Sequence, residues 1–150
     1  MSQSLSNIPV HLVFSTKFRQ PLISPEVQSE LYPYMTGILR NFGCQVIQIG
    51  GVDDHVHVLF RLSRTVSVAQ TIKDLKTGSN KWLKEKWPHL QAFEWQGGYG
   101  ILGVGVERVQ TVVKYIQNQE EHHKTVSFKE ELLRLLEENE IEYDERYLWD

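Results

Sequence analysis

Residues 53–60 read Asp-Asp-His-Val-His-Val-Leu-Phe and alternate as a half-buried β-strand does. Val56, Val58 and Phe60 form one apolar face, because successive side chains of a strand point to opposite sides. His55 and His57 share the other face, where two neighbouring imidazoles are placed to bind one metal ion. A half-buried strand with two hydrogen-bonded histidines and no metal has the same pattern. A metal site therefore requires a partner elsewhere in the chain.

A candidate partner is the helix predicted for residues 107–122. Its apolar residues recur at the i, i+3, i+4, i+7 spacing of a core-facing stripe, at Val109, Val112, Val113 and Ile116. Tyr115 and Gln119 are four residues apart, so they lie side by side at the flank of that stripe. Two roles are open for Tyr115: a reactive group near the histidine strand, or a boundary tyrosine whose hydroxyl reaches water.

The predicted elements follow one another in the order β-α-β-β-α-β, which defines an α+β, ferredoxin-like (RRM-like) sandwich. They are strand 8–16, helix 25–42, strand 45–52, strand 55–62, helix 67–86, strand 98–106 and the additional helix 107–122. Ser127 and Glu130 form a capping box that opens a short tail helix. We expect two helices on one sheet face, an uncovered histidine face, and a single domain spanning 1–150.

The net charge of −3 is unevenly distributed along the chain. Residues 120–150 hold 11 acidic and 4 basic side chains, whereas residues 1–119 hold 12 basic and 8 acidic ones. A basic body with an acidic tail is compatible with phosphate binding by the body. The lysines of helix 67–86 mostly read as a solvated face, and we expect only one or two of them to contact phosphate.

The composition bounds the cellular setting. The N-terminus lacks the pattern of a signal peptide, and no run approaches the roughly 18 apolar residues of a transmembrane helix. Cys44 is the single cysteine, which excludes an internal disulfide and suits a reducing compartment. We expect a cytoplasmic protein in which Cys44 serves packing.

Taken together, the motifs resemble those of the single-tyrosine HUH transposases of small bacterial insertion sequences, the IS200-like family. The resemblance rests on His55-Val56-His57 and on Tyr115 followed by Gln119. It extends along nearly the whole chain, through residues 11–17, 49–55, 79–82, 95–100, 115–123 and 143–149. One departure is the run Ile101-Leu102-Gly103-Val104-Gly105, where relatives commonly have a serine-containing strand.

The resemblance implies a metal-dependent DNA transposase that cleaves and rejoins single-stranded DNA at hairpin-bearing element ends. Tyr115 would be the catalytic nucleophile and form a 5′-phosphotyrosine intermediate. His55, His57 and Gln119 would bind a divalent ion, Mg²⁺ or Mn²⁺, since imidazole nitrogens and an amide oxygen suit such an ion. The protein would act as a homodimer that exchanges its catalytic helices.

Further residues are candidates for contact with DNA. They are Lys17, Lys73, Lys76, Lys81 and Tyr99, the last placed between two glycines where a backbone can approach a ligand closely. His122, seven residues beyond Tyr115, could act as a base or extra ligand and is left outside the catalytic set. Two alternatives stay open: an HUH nicking enzyme of replication or conjugation, and a domesticated hairpin-binding protein.

Overall fold

The computed structural model describes residues 2–150 and contains the predicted α+β sandwich. Its sheet has four strands, in the spatial order β2-β3-β1-β4, and every neighbouring pair is antiparallel. The strands are β1 (Pro9–Ser15), β2 (Gln45–Gly51), β3 (His55–Arg61) and β4 (Gly100–Gly103). The order β-α-β-β-α-β is confirmed.

Two long helices cover one face of the sheet, α1 (Pro25–Asn41) and α2 (Val68–Lys86). Their N-termini are capped by serines, since Ser24 Oγ accepts a hydrogen bond from Val27 N at 3.3 Å and Ser67 Oγ accepts one from Gln70 N at 3.1 Å. The core beneath them is purely apolar on the sheet side. It contains Val10, Leu12, Phe14, Val56, Val58 and Phe60, and the predicted packing role of Cys44 is confirmed.

The other face of the sheet is also covered, which corrects the expectation of an open histidine face. The covering helices are α3 (Val109–Gln117), α4 (Gln119–His122) and α5 (Phe128–Glu138), followed by α6 (Glu145–Leu148). Val109 and Ile116 of α3 pack on Leu59. Four apolar residues of α5 pack on Val13 and Leu102, namely Phe128, Leu132, Leu135 and Leu136. His55 and His57 are consequently fully buried.

Helix α3 reaches its own sheet because Gly50 allows a close approach. A Cβ atom at Gly50 would lie 2.7 Å from the Ile116 carbonyl oxygen, so only glycine leaves room for the helix backbone there. The connection from β4 to α3 is short, yet α3 folds back onto the sheet of its own chain.

Two element boundaries also differ from the predicted ones. Strand 98–106 shortens to Gly100–Gly103, because β4 pairs only with residues 10–13 of β1. The predicted helix 107–122 begins as a 3₁₀ turn over Val106–Arg108 and breaks at Asn118, between α3 and α4. The capping box is confirmed, since Ser127 Oγ accepts from Glu130 N at 3.2 Å where α5 begins. None of the helices within residues 2–150 combines the length and apolarity that a membrane span needs.

Candidate active site

The two histidines of β3 point into the interior, and the Nδ1 atom of each has a hydrogen-bond partner. His55 Nδ1 lies 2.7 Å from Asp54 Oδ1, and His57 Nδ1 lies 2.7 Å from Nε2 of His11, on the neighbouring strand β1. A carboxylate only accepts, so the Nδ1 of His55 carries the proton. Such outer partners orient an imidazole and leave its Nε2 facing the site.

The carboxylate of Glu131, on α5, lies at the centre of the site and is fully buried. Its Oε1 is 3.3 Å from His55 Nε2, 3.0 Å from His57 Nε2 and 3.1 Å from His123 Nε2. Three imidazoles, from β3 and the connection after α4, thus converge on one oxygen.

The second oxygen of Glu131 faces the helices that cover the sheet. Glu131 Oε2 accepts a hydrogen bond from Gln119 Nε2 at 3.0 Å and another, shorter one from the Tyr115 hydroxyl. His122 Nε2 is 3.3 Å from the same oxygen. Tyr115 and Gln119, predicted as neighbours, are therefore both brought to His55 and His57.

Burial and hydrogen bonding oppose each other in setting the charges of this cluster. Burial by itself would raise the pKa of Glu131, but the close imidazoles of His123, His55 and His57 outweigh it and hold that pKa well below its usual range. Burial lowers the pKa of His55, yet its hydrogen bonds to Asp54 and Glu131 outweigh this effect and raise the pKa to about 9. Without a metal, His55 is therefore protonated beside an ionised Glu131.

The neighbouring groups are shifted toward their neutral forms. Burial lowers the pKa of His57, and burial together with the charge of His57 lowers that of His11 to about 3. The Nε2 of a neutral His11 can accept a hydrogen bond from His57 Nδ1–H, which leaves the Nε2 lone pair of His57 directed at the site. Burial and the negative Glu131 raise the pKa of Tyr115, so its phenol is protonated in this arrangement.

The arrangement fits a metal ion. His55, His57, His123 and Glu131 offer ligand atoms that all lie within 4.8 Å of one another, so they could hold one ion. The Oε1 atom of Gln119 is 2.9 Å from His55 Nε2 and points into the same space. Imidazole lone pairs and carboxylate or amide oxygens are all acceptors, so they cannot bind one another directly. When they face one another, either protons or a metal ion must lie between them. His123 Nε2 shows this directly, because it is buried without a hydrogen-bond partner among the described residues.

Two of the predicted DNA contacts lie on the opposite side of the sheet from this cluster. Lys73 and Lys81 are exposed on α2, which packs on the opposite face of the sheet. Lys76 Nζ donates to the carbonyl oxygens of Gln96 at 2.8 Å and Gly98 at 2.5 Å and lies 5.5 Å from the ring centroid of Tyr99, so it anchors that loop. Lys17 lies in a 3₁₀ turn after β1. DNA binding by these five residues stays a prediction.

Sequence reasoning missed the residues that come from outside the two motifs. Glu131 had one visible signal, since it falls on the apolar stripe of α5 formed by Phe128, Leu132, Leu135 and Leu136, where a charge is out of place. His11 shares strand parity with Val13 and Ser15, which pair with His57 and His55. A cavity of about 350 Å³ beside Tyr115 was not anticipated, and its lining includes Arg108, Thr111, Arg134 and Asn139.

Comparison with known proteins identifies the class of this chain as a transposase. Residues 4–119 match the family model described as "Transposase IS200 like". The chain belongs to the IS200-like transposase family. It is 28% identical over 114 residues to the ISDra2 transposase TnpA of Deinococcus radiodurans, a match that covers 73% of this chain and 81% of that protein.

Two solved structures share the fold. One is the crystal structure of a transposase candidate from Deinococcus radiodurans R1, with a TM-score of 0.65 and 24% identity, covering 79% of this chain and 98% of that one. The other is a REP-associated tyrosine transposase bound to a REP hairpin, with a TM-score of 0.63 and 13% identity, covering 84% and 76%. The family match ends at Gln119, so His122, His123 and Glu131 lie beyond it.

Proposed function

We propose that this protein is an HUH single-tyrosine transposase that cleaves and rejoins single-stranded DNA at hairpin-bearing element ends in the cytoplasm. The main support is the position of the Tyr115 hydroxyl, which shares the Glu131 carboxylate with His55 and His57. A nucleophile next to a candidate cation site is the arrangement that phosphodiester cleavage requires. Membership of the IS200-like family supports DNA as the substrate.

In the proposed reaction, the Tyr115 oxygen attacks the scissile phosphorus and loses its proton. The bond from phosphorus to the 3′ oxygen breaks and that oxygen takes up a proton in place of the one that Tyr115 released, which leaves a 5′-phosphotyrosine on the protein and a free 3′-hydroxyl. The exchange conserves one phosphodiester bond, so attack by a second DNA 3′-hydroxyl rejoins the strands without ATP.

His55, His57 and Gln119 would hold the divalent ion, Mg²⁺ or Mn²⁺, of this reaction. When bound, such an ion supplies Lewis-acid stabilisation of the phosphate charge. Asp54 and His11 hold the two imidazoles in orientation through their Nδ1 atoms. The helices above the site keep water from Glu131 and Gln119, which are both buried, whereas Tyr115 is only partly buried and borders the cavity.

Hairpin DNA is the proposed substrate form. The REP-associated tyrosine transposase with the same fold was solved with a REP hairpin bound. The cavity beside Tyr115 opens between β4, α3 and α5, and its lining includes two arginines, Arg108 and Arg134. Guanidinium groups bind phosphate well, so this cavity is a suitable place for the backbone of the cleaved strand.

An adduct experiment tests the proposal. Incubation with a single-stranded oligonucleotide that carries the hairpin end of the element should give a covalent protein–DNA species. Tyr115→Phe should abolish it, whereas the matched variant Tyr34→Phe, on α1, should retain it. An adduct that persists in Tyr115→Phe contradicts the nucleophile, and hairpin binding without cleavage in the wild type indicates the domesticated binding protein instead.

We also propose a homodimer that exchanges its catalytic helices, as the family resemblance implies. Within one chain, α3 packs on the sheet of the same chain, so the alternative is a site built in cis. Mixed dimers of His57→Ala and Tyr115→Phe separate the two arrangements. With exchange, one site carries both lesions and the other carries neither, so cleavage returns. Verified mixed dimers that stay inactive contradict exchange.

A further inference from the structure

We propose that Glu131 and His123 bind the same cation as His55 and His57, and that the second oxygen of Glu131 holds the Tyr115 hydroxyl beside it. The inference rests on the proposed function and deepens it. It assigns a role in the reaction centre to the C-terminal segment, which lies beyond the residues that match the family model.

The two oxygens of Glu131 face two different sets of partners. The imidazole nitrogens of His55, His57 and His123 lie on the Oε1 side, at 3.3, 3.0 and 3.1 Å. The Tyr115 hydroxyl and the Gln119 amide lie on the Oε2 side. A carboxylate that bridges in this way ties the position of the nucleophile to the position of the cation.

His123 has the geometry of a ligand. Its Nδ1 is 2.6 Å from the Val126 carbonyl oxygen, which can only accept, so Nδ1 carries the proton and Nε2 carries the lone pair. That Nε2 is buried, points at Glu131 Oε1 and has no hydrogen-bond partner among residues 2–150. A cation in the site would satisfy it. His55 follows the same pattern, since its Nδ1 donates to Asp54 and its Nε2 faces the site.

The location of Glu131 argues against a purely structural role. It lies between Phe128 and Leu132 on the face of α5 that packs on the sheet, and it is fully buried. A buried carboxylate loses its hydration, and even when it is paired it stabilises a fold no more than an apolar side chain of similar size would. The packing of α5 alone therefore gives no reason for a carboxylate at this position. Three imidazoles and one carboxylate form a donor set that suits Mn²⁺ better than Mg²⁺, which prefers oxygen ligands.

Metal binding by the full-length protein without DNA tests the inference independently of cleavage. Titration with Mn²⁺, followed by the loss of the free-ion EPR signal, gives the dissociation constant. Glu131→Gln should weaken Mn²⁺ binding at least about tenfold. A loss of about tenfold is the smallest effect usually seen when a residue that merely supports a metal ligand is replaced. Glu130→Gln is the matched control on the exposed side of the same helix and should bind as the wild type does. Unchanged or tighter binding by folded Glu131→Gln overturns the inference.

A second measurement needs no substitution at Glu131 and covers the case in which Glu131→Gln does not fold. Pulsed EPR of the wild-type protein with bound Mn²⁺ should detect three coordinated imidazole nitrogens, and His123→Asn should reduce them to two. Two nitrogens in the wild type overturn the inference. The proposed function fails separately, by the absence of a Tyr115-dependent adduct in a protein that binds Mn²⁺ normally.

Discussion

The two faces of the sheet are buried to the same extent but differ in chemistry. Beneath α1 and α2, side chains such as Leu12, Phe14 and Phe60 are completely buried and wholly apolar. Beneath α3 to α5, His55, His57 and Glu131 are equally buried, but they are ionisable and could bind a metal ion. Burial of apolar surface stabilises a fold, whereas burial of a charge network costs stability unless its members pair. We therefore expect substitutions on the first face to act mainly on stability and substitutions in the histidine cluster to act on the proposed reaction.

The largest expected effect is on the reactive face. Removal of divalent ions with EDTA should abolish cleavage of hairpin-bearing single-stranded DNA, because the phosphate loses its Lewis acid. DNA binding, measured by gel shift in the same buffer, should survive, since basic side chains supply most non-specific affinity. Mn²⁺ added in excess of the chelator should restore cleavage. Full cleavage in chelator would contradict a catalytic metal.

The apolar face should respond in stability. Phe60→Ala removes a fully buried ring, and we expect the free energy of unfolding to fall by about 3–5 kcal/mol. Denaturant unfolding of the metal-free protein measures this value. Tyr34→Ala, a half-exposed aromatic on α1, is the control and should cost clearly less. Equal losses for the two variants would contradict the expectation that the buried side chains of this core supply the stability.

The charged face should make stability depend on pH. The pKa of His55 is about 9 in the folded protein and near 6.5 in an unfolded chain, so the folded state binds the proton more tightly. The resulting stabilisation, on the order of 3 kcal/mol, is complete below pH ~6.5 and is lost as the pH rises through about 9. In EDTA, the stability difference between wild type and His55→Gln should therefore shrink across that range. His89→Gln, at an exposed histidine outside this cluster, is the control variant.

The smallest expected effect concerns the contact between β2 and the helix α3 that covers it. Gly50→Ala places a Cβ atom 2.7 Å from the Ile116 carbonyl oxygen and pushes α3 away from β2. We expect a loss of about 1–3 kcal/mol, as for other overpacked sites, together with slower cleavage because Tyr115 moves with α3. Gly103→Ala, where the added Cβ meets nothing within 4 Å, is the control. Normal cleavage by Gly50→Ala would show that the cis packing of α3 is not needed for activity.

Much of the architecture followed from local patterns. The alternation in residues 55–61 predicted β3 and its histidine face, and the valine spacing predicted α3 with Tyr115 at its flank. The short β4 was not predictable, because its length depends on which residues of β1 it pairs with. The break between α3 and α4 at Asn118 was not predicted either.

The sequence by itself determined the motifs, the order of elements and the apolar face, because each is written in residues that are close neighbours along the chain. Only the tertiary structure decided what covers the histidines. His11 is 46 residues from His57 and Glu131 is 74 residues from it, yet both touch its ring nitrogens. The first contact depends on the pairing of β1 with β3 and the second on the packing of α5 against the sheet, and neither pairing is written in residues that are neighbours along the chain. The site is therefore completed by packing, with two motifs supplied locally and Glu131 brought to them by the fold.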